Sequence, residues 1–329
     1  MCRVRRVGVA ILAAVLMAWQ AAVMAAVVAE DTAPVRGDRP EDYLRDIGSA
    51  LRNLDYKGVF LYEQGGRKTS QQWVHIVRDG VEHERLLGLD GGRREVLRDR
   101  PLGCLSVEGQ GIRALLSSAL SDTQVNGLRD EYHLALGAPE MVAGREAIPL
   151  VIEPQDEFRR GYRLLVDKES RLLLGADTLD HAGNLLDRFR FLTILIGPVP
   201  DSDILPVTAS YSRMDEARCV SSAQVSAPAA LGWTVELPTG FALCHQEQRT
   251  QAGVPEDVLT YSDGLSHFTV FIRQGDAGLD GGQLQQGNTL LRSQSLQVGD
   301  KTYHVTVVGD VPETLMQRVL TSFKPVPGL

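Results

Sequence analysis

A glycine-rich turn in this sequence matches the spacing of a dinucleotide-binding motif. Gly109, Gly111 and Ala114 reproduce Gly-x-Gly-x-x-Ala after a strand-like run. Asp130 and Glu131 follow at the distance where such motifs place an acidic ribose ligand. In a parallel βαβ unit, the turn would hold a pyrophosphate at a helix N-terminus. The flanking sequence indicates antiparallel hairpins with no parallel crossover, so we interpret the motif as an ordinary glycine-rich turn.

Two histidines raise the hypothesis of a metal site. His75 and His83 lie on adjacent predicted strands, close in sequence to Glu82 and Glu84. Imidazole and carboxylate ligands that converge bind zinc. Scattered histidines and glutamates on a β-meander are more typical of a solvated face, and we expect no metal site.

Neighbouring Ser266 and His267 are the remaining candidates for nucleophilic catalysis. A hydrolase needs a nucleophile, a base and an orienting acid within hydrogen-bond reach. No acid partner is identifiable, and no Gly-x-Ser-x-Gly elbow is present. The paired carboxylates Asp156 and Glu157 lie in a charged loop without an acid–base signature. The sequence therefore predicts that the protein is not an enzyme and needs no cofactor.

Antiparallel hairpins are the elements that must position any site in the N-terminal part of the chain. Residues 40–54 place apolar side chains at helical spacing after Pro40, which predicts an amphipathic helix. Strand-like runs separated by glycine-containing turns indicate a meander, and a short helix is predicted around IRALLSSAL (112–120). The predicted strands are YKGVFLYEQ, SQQWVHIVRD, VEHERLLGLD and RREVLRD, then EAIPLVIEP, GYRLLVDKE, LLLGADTLD and LLDRFRFLTILI.

The chain of 329 residues is long enough for about two domains, and its 43% hydrophobic content supplies a core for each. We predict a large domain over 38–200 and a small domain over 231–327. Residues 201–230 are rich in proline and small residues, which is typical of a linker.

The small domain carries the strongest hairpin signal in the chain. In DVLTYSDGLSHFTVFI (257–272), Asp263-Gly264 predicts a type I′ turn between two strands. A Gly/Gln-rich loop is expected over 275–287. The closing run PETLMQRVLTSFK predicts a helix that buries Leu315, Val319 and Leu320.

The N-terminus has the pattern of an export signal. Arg3, Arg5 and Arg6 precede an apolar run that ends in small residues, with cleavage sites after Ala25 or Ala29. An uncleaved membrane anchor is the alternative, because the run approaches the length of a spanning helix. We predict a signal peptide over 1–25 and export to the periplasm.

Cleavage leaves 31 basic and 42 acidic residues, a net charge of −11. An acidic surface of this kind disfavours nucleic acid and anionic membrane, and suits a basic partner. Three cysteines remain, Cys104, Cys219 and Cys244, so at least one thiol is unpaired. The sequence is compatible with a Cys219–Cys244 disulfide and equally with free thiols at both positions.

Large twisted antiparallel sheets curl into a barrel or half-barrel with a helix against the concave side. A cavity formed in this way would be apolar. Ordinary core packing is the alternative for each side chain that would line it. The lipid-cavity candidates are Phe60, Trp73, Leu86, Tyr162, Leu164, Phe189 and Phe191.

Several short motifs, taken in their order, resemble one known family. They are LYEQGG (61–66), LDGGRREVLRD (89–99), GWTVELPTGFAL (232–243), LTYSDGLSHFTVFI (259–272) and the closing VVGDVPETLMQRVLTSFK. The resemblance is to the RseB/MucB family, which are periplasmic negative regulators of the extracytoplasmic sigma-E stress response. It extends over nearly the whole mature chain.

The resemblance implies an α+β fold, mainly antiparallel β. Its large domain would be a lipoprotein-carrier-like unclosed β-barrel with helices in the concavity, next to a smaller β-rich C-terminal domain. Such a protein binds the periplasmic part of a membrane-spanning anti-sigma factor and shields it from regulated proteolysis. Lipopolysaccharide or mislocalised lipoprotein releases it. The partner-binding candidates are Tyr261, Asp263, Gly264, Phe268 and Phe271.

The alternative function is a periplasmic lipid or lipoprotein carrier that uses the same half-barrel. A carrier transfers its cargo to an acceptor, which would leave the second domain unexplained. The identity of the lipid and a homo-oligomeric state stay open.

Overall fold

The computed structural model describes residues 38–91, 94–102, 122–215, 232–251, 253–275, 281–286 and 288–326. Several predictions lie outside these residues: the signal peptide 1–25 with both cleavage sites, the motif at Gly109, Gly111 and Ala114, the helix at 112–120, and Cys104 and Cys219. None of the helices in the described ranges is long and apolar enough to cross a membrane.

The N-terminal helix forms as its sequence predicts. Helix α1 spans Pro40–Asn53, with Pro40 in its first turn. The Asp42 carboxylate accepts hydrogen bonds from the backbone N–H and the side chain of Arg39 at the helix start. Leu44 and Ile47 are almost fully buried on the inner face. Helix α1 therefore presents one apolar stripe to the sheet.

The residues up to 215, here called the N-terminal region, form one sheet of eleven strands. A second helix, α2 (Asp122–Glu131), lies between the fourth and fifth strands. The strands are β1 Tyr56–Gln64, β2 Arg67–Arg78, β3 Val81–Gly88, β4 Glu95–Pro101, β5 Tyr132–Leu136, β6 Glu140–Val142, β7 Arg145–Pro154, β8 Gly161–Asp167, β9 Leu173–Leu179, β10 Leu185–Ile196 and β11 Ser212–Asp215.

This sheet is open and wraps around α1. Its order is β11-β4-β3-β2-β1-β10-β9-β8-β7-β5, with β6 paired to β7. All pairs are antiparallel except β11 with β4, and within the described ranges the end strands β11 and β5 do not pair. Helix α1 contacts β2, β5 and β9, which come from both halves of the sheet. The prediction of an unclosed antiparallel barrel around a helix is confirmed.

The residues from 232 onward, here called the C-terminal region, form a second β-rich unit. Its six-stranded sheet has the order β13-β14-β15-β18-β17-β16, and a small β12–β19 pair lies apart from it. Helix α3 (Glu313–Ser322) buries Leu315, Val319 and Leu320, as predicted. The strands are β12 Trp233–Thr234, β13 Ala242–Gln251, β14 Val254–Ser262, β15 His267–Gln274, β16 Gln283–Gln286, β17 Thr289–Val298, β18 Lys301–Gly309 and β19 Lys324–Pro325.

The β14–β15 hairpin is present, but its predicted type I′ turn is wrong. A type I′ turn needs positive φ at both central residues; Gly264 has φ +99°, whereas Asp263 is not among the positive-φ residues. Ser262 pairs with His267, so four residues form the loop. The Asp263 carboxylate accepts hydrogen bonds from the backbone N–H groups of Leu265 (2.9 Å) and Ser266 (2.6 Å), and this side-chain capping sets the longer loop.

The start of the predicted linker carries secondary structure. A 3-10 turn spans Asp201–Ile204, and β11 adds to the edge of the first sheet. The buried Glu95 carboxylate holds this segment because it accepts hydrogen bonds from the backbone N–H groups of Val207 and Thr208, each 2.8–3.2 Å long. In the expected 275–287 loop, β16 pairs with β17.

Candidate functional site

Four aromatic rings on three neighbouring strands form the centre of the N-terminal core. Phe60 (β1), Trp73 (β2), Phe189 and Phe191 (β10) are between 2% and 5% exposed. Ring centroids lie 5.0 Å apart for Phe60–Phe189 and 5.2 Å for Phe189–Phe191. Edge-to-face contacts of this kind add about 0.5–1.5 kcal/mol to the burial of each ring pair. The rings therefore make a dense apolar centre.

A glycine on β1 makes room for this cluster. Phe191 pairs with Phe60, Thr193 pairs with Val59, and Leu192 between them forms a β-bulge. A Cβ atom on Gly58 would lie 2.8 Å from the Phe191 ring and 2.3 Å from the Thr193 carbonyl oxygen. The Phe191 ring lies directly over the β1 backbone, which only glycine permits.

All seven lipid-cavity candidates fall in or against the one hydrophobic core that contains these rings. Leu164 is 0% and Tyr162 4% exposed, both on β8, whereas Leu86 is half-buried at its edge. Helix α1 contributes Tyr43 and Ile47 to the same cluster. The structure thus brings the candidates together as a packed core, and their role in binding an acyl chain stays a prediction.

The partner-binding candidates separate onto two faces of the C-terminal sheet. Tyr261 and Phe268 stack at 5.2 Å and are 0% exposed in the core against α3. Phe271 lies on the other face, half-buried, with the Arg249 guanidinium 5.3 Å from its ring. Phe271 and Gly264 are therefore better placed than the two core rings to touch a partner, and the partner role of the set stays a prediction.

The fifth candidate, Asp263, faces the N-terminal region. Its carboxylate accepts hydrogen bonds from Arg159 Nε (2.9 Å) and Tyr132 Oη (2.9 Å). The side chains of Arg159 and Asp263 are both 0% exposed. Burial raises the pKa of Asp263, while the N–H groups of Ser266 and Leu265 and the Arg159 charge oppose that rise.

Arg159 has partners from both regions. It also contacts the Asp156 carboxylate and the Thr239 carbonyl oxygen, and Glu131 Oε2 lies 3.4 Å from its Nη2. Gly240 (φ +84°) follows Thr239, and a Cβ there would lie 3.0 Å from Arg159 Nη2. Buried charges of this kind persist only when paired, so Arg159 fixes the place where the two regions meet.

Each region also inserts an apolar side chain into the other. Leu265, in the hairpin turn, is 1% exposed and belongs to the hydrophobic core of the N-terminal region, which also contains the four aromatic rings. Phe158, in the loop after β7, packs against the C-terminal core and lies under Arg318 of α3 at 5.3 Å. We call residues 155–160 the docking loop, residues 263–266 the hairpin turn, and the contact between the regions the seam.

Hydrogen bonds reinforce the seam. Ser266 Oγ lies 3.2 Å from Tyr162 Oη and 3.4 Å from Tyr132 Oη. Thr314 Oγ1 donates to the Glu157 carbonyl oxygen at 2.7 Å, and Arg160 Nη2 donates to the Val311 carbonyl oxygen at 3.2 Å.

A second titratable group lies beside the seam. Burial, with a contribution from the charge of Asp310, raises the pKa of Asp187 on β10 from 3.8 to about 6. Tyr62, Gln64 and Arg160 oppose that rise. Asp310 belongs to the C-terminal region, so this carboxyl pair spans both regions.

The histidines and the glutamate considered as metal ligands have structural partners. His75 Nδ1 lies 2.8 Å from the Leu54 carbonyl oxygen, and His83 Nδ1 lies 2.7 Å from Asp99. The Glu82 carboxylate pairs with Arg100. Across the ranges given above, no group of three ligating side chains converges on a metal position.

Sequence reasoning missed the docking loop. Asp156 and Glu157 drew attention as carboxylates, whereas the contacts between the two regions come from Phe158, Arg159 and Leu265. The available signal was an apolar residue at a place where exposure is expected: Phe158 within QDEFRR, and Leu265 within DGLS. A lone apolar side chain of this kind in a loop points to a contact elsewhere in the molecule.

Cys244 is the one cysteine in the described ranges. Its thiol lies 3.3 Å from the Thr260 carbonyl oxygen. Cys219 lies outside those ranges, so the disulfide stays a prediction.

Comparison with known proteins places both regions in one family. The family model for the MucB/RseB N-terminal domain matches residues 39–210, and that for the MucB/RseB C-terminal domain matches residues 227–324. The chain belongs to the MucB/RseB family. The aromatic cluster and the docking loop fall in the first MucB/RseB domain and the hairpin turn in the second, so the seam joins the two domains of the family.

Individual relatives agree with this assignment. The Pseudomonas aeruginosa sigma factor AlgU regulatory protein MucB is 35% identical, and the match covers 86% of this chain and 90% of that protein. The Haemophilus influenzae sigma-E factor regulatory protein RseB is 28% identical, over 85% and 90% of the two chains. The solved complex of Pseudomonas aeruginosa MucA/MucB has a chain with a TM-score of 0.69 and 32% identity, covering 87% of this chain and 98% of that one.

Proposed function

We propose that this protein binds the periplasmic part of a membrane-spanning anti-sigma factor and shields it from regulated proteolysis. One observation carries the proposal: both regions match a MucB chain that was solved as a complex with MucA, over 98% of that chain. The match includes both domains and hence the seam between them, so a partner that spans the domains would find the same scaffold here. The protein acts by binding, without catalysis.

The charge of the exported chain favours a basic segment on whatever partner it binds. With 31 basic and 42 acidic residues after removal of residues 1–25, its surface attracts basic segments. We expect a periplasmic location, reached by a cleaved signal peptide.

Release by a lipid is the second part of the proposal. The apolar core inside the open sheet has the chemistry that an acyl chain would need, since each buried CH₂ contributes about 0.8 kcal/mol. The acyl chains of lipopolysaccharide or of a mislocalised lipoprotein have this chemistry. Coupling to the partner requires only that lipid and anti-sigma factor prefer different states of the protein, by about 1–3 kcal/mol.

A pull-down tests the binding. The mature chain is mixed with the purified periplasmic domain of the anti-sigma factor, with and without lipopolysaccharide. We expect capture without lipopolysaccharide and reduced capture with it. Absence of capture in both conditions would contradict the proposal, and cargo transfer from the protein to an acceptor lipoprotein would favour the carrier alternative.

A variant pair sharpens this test. Phe271→Ala removes a half-exposed ring from the outer face of the C-terminal sheet. Leu284→Ala, on an edge strand of the same sheet and 60% exposed, is the control. Weaker capture for Phe271→Ala alone would place the partner on that face, and equal capture would remove Phe271 from the candidates.

A further inference from the structure

We infer that the hairpin turn plugs the hydrophobic core of the N-terminal region, and that an acyl chain entering this core displaces the turn and opens the seam. The inference rests on the proposed release by a lipid and identifies the element through which that release acts.

The turn and the ligand would compete for one space. Leu265 is 1% exposed and is the C-terminal residue that joins the cluster holding all the strongly buried cavity candidates. The adjacent Ser266 bonds to Tyr162 Oη at 3.2 Å, and Tyr162 is itself a candidate. Because protein cores are packed to crystal-like density, an acyl chain that enters beside Tyr162 must move a side chain. Leu265 can leave without unfolding the sheet, since it belongs to a turn of the other domain.

Movement of Leu265 carries Asp263 with it. The Asp263 carboxylate caps the backbone N–H groups of Leu265 and Ser266 at 2.9 and 2.6 Å, so the turn moves as one unit. Asp263 is also the C-terminal carboxylate that pairs with Arg159, at 2.9 Å, and the Thr239 carbonyl oxygen is the other C-terminal group that Arg159 contacts. Loss of Leu265 from the core therefore breaks the central ion pair of the seam.

The other partners of Arg159 lower the free-energy cost of losing its ion pair with Asp263. After Asp263 leaves, Arg159 keeps Asp156 and Glu131 (3.4 Å), which are both N-terminal residues. The cost of stranding a buried charge, which makes such pairs hard to break elsewhere, is thus reduced on the Arg159 side. Asp263 becomes hydrated once the turn is free.

On the N-terminal side of the seam, the docking loop responds to the same movement. Phe158 and Arg159 are adjacent, so the ring in the C-terminal core and the guanidinium in the seam move together. Opening at Arg159 loosens Phe158 and the bond from Thr314 to Glu157 (2.7 Å). Cavity occupancy in one domain thereby changes how the two domains hold each other.

Hydrogen exchange tests the inference on the mature chain. The probes are lipopolysaccharide and, separately, a synthetic triacylated lipopeptide, which distinguish the two acyl sources. We expect a bound probe to raise amide exchange in the docking loop (155–160) and in the hairpin turn (263–266) while the β14 and β15 strands stay protected. If only one of the two probes gives this pattern, the plug is supported and that probe identifies the source of the acyl chain. Binding of a probe with unchanged exchange in both segments overturns it.

Leu265→Ala provides an independent measurement. Weakening the plug should tighten binding of the active probe by at least about fivefold, the lower end of measured couplings between sites. Leu195→Ala, also a leucine truncation but 50% exposed on β10, is the control and should bind as wild type does. Equal affinity of Leu265→Ala and wild type for the probe contradicts the inference. If the variant does not fold, the hydrogen-exchange experiment on wild type decides whether the inference stands.

The anti-sigma domain is titrated against the same preparations. If wild type binds the anti-sigma domain but neither acyl probe, the plug is overturned while the proposed partner binding stands. If it binds an acyl probe with the exchange pattern above but no anti-sigma domain, the plug stands and the proposed partner falls.

Discussion

The aromatic core of the N-terminal domain and the seam between the domains are stabilised by opposite kinds of interaction. In the core, Phe60, Trp73, Phe189 and Phe191 pack ring against ring, with each residue at most 5% exposed. The seam is built around a buried charge, Arg159, with carboxylates from both domains. A packed core loses its dispersion contacts and its buried apolar area together when it unfolds. A charged group in the seam can instead replace one partner by another or by water. The comparison indicates that the seam can open while the core persists.

The largest expected effect comes from breaking the core. Trp73→Ala removes a ring that is 5% exposed and stacks 6.3 Å from Phe191. Large-to-small changes of this kind cost about 3–5 kcal/mol, because a cavity is left behind. Denaturant unfolding measures the loss. Leu195→Ala, 50% exposed, is the control and should change the free energy of unfolding by less than about 0.5 kcal/mol.

A similar loss for both variants would mean that the aromatic cluster is loosely packed. The contrast with the seam would then disappear.

Breaking the seam should give a smaller effect of a different kind. Asp263→Asn removes the charge that pairs with Arg159 but keeps the shape of the side chain. We expect a loss of about 1.5–3 kcal/mol, the range for a hydrogen bond to a charged group. The loss should appear in scanning calorimetry as two separated transitions, because the domains then unfold independently.

Asp257→Asn is the matched control for that change. Asp257 lies on β14 of the same hairpin and makes a surface bond to Gln248. A single transition for Asp263→Asn, unchanged from the control, would show that the ion pair does not join the domains.

The close approach of the Phe191 ring to Gly58 gives a second test of how tightly the core is packed. Gly58→Ala places a Cβ 2.8 Å from the Phe191 ring, so the cluster must shift. Overpacking of this kind costs about 1–3 kcal/mol, measured by thermal unfolding. Gly88→Ala is the control, since its Cβ would meet Arg94 at an ordinary 3.6 Å. Equal stability of the two variants would contradict the packing described for Phe191.

The smallest effect is a pH dependence beside the seam. The pKa of Asp187 is raised from 3.8 to about 6 in the folded protein. A carboxyl group of this kind stabilises the fold when protonated, and that contribution is lost as pH rises from about 4 through about 6. Asp187→Asn mimics the protonated form, so its stability relative to wild type should increase with pH over this window and level off above it.

Thermal unfolding from pH 4 to pH 8 provides the measurement, with Asp300→Asn in an exposed turn as the control. A pH-independent difference between Asp187→Asn and wild type would remove Asp187 as the titrating group.

Much of the fold follows from local sequence. Helix α1 was predicted over 40–54 and spans Pro40–Asn53, and the runs for β1 and β10 coincide with Tyr56–Gln64 and Leu185–Ile196. These elements have regular hydrophobic periods, so the position of each residue in the sequence indicates which face of the helix or strand it lies on. The burial of the cavity candidates follows from the same alternation.

The seam does not follow from local sequence, for a physical reason. Arg159 and Asp263 are 104 residues apart, so neither carries a local sign of the other. The type I′ prediction failed for a related reason: Asp263 uses its carboxylate for capping and for the ion pair, which sets a four-residue loop that the Asp-Gly pattern alone does not show. Likewise, the proline-rich start of the linker follows the sheet because Glu95, far away in the chain, binds its backbone.

Protection of the anti-sigma factor from its protease tests the central claim most directly. The periplasmic domain of the anti-sigma factor is incubated with the protease that cleaves it, with and without an excess of the mature protein, and cleavage is followed over time. We predict slower cleavage in the presence of the protein and recovery of the rate when lipopolysaccharide is added. Cleavage at the same rate with and without an excess of the mature protein would contradict the account.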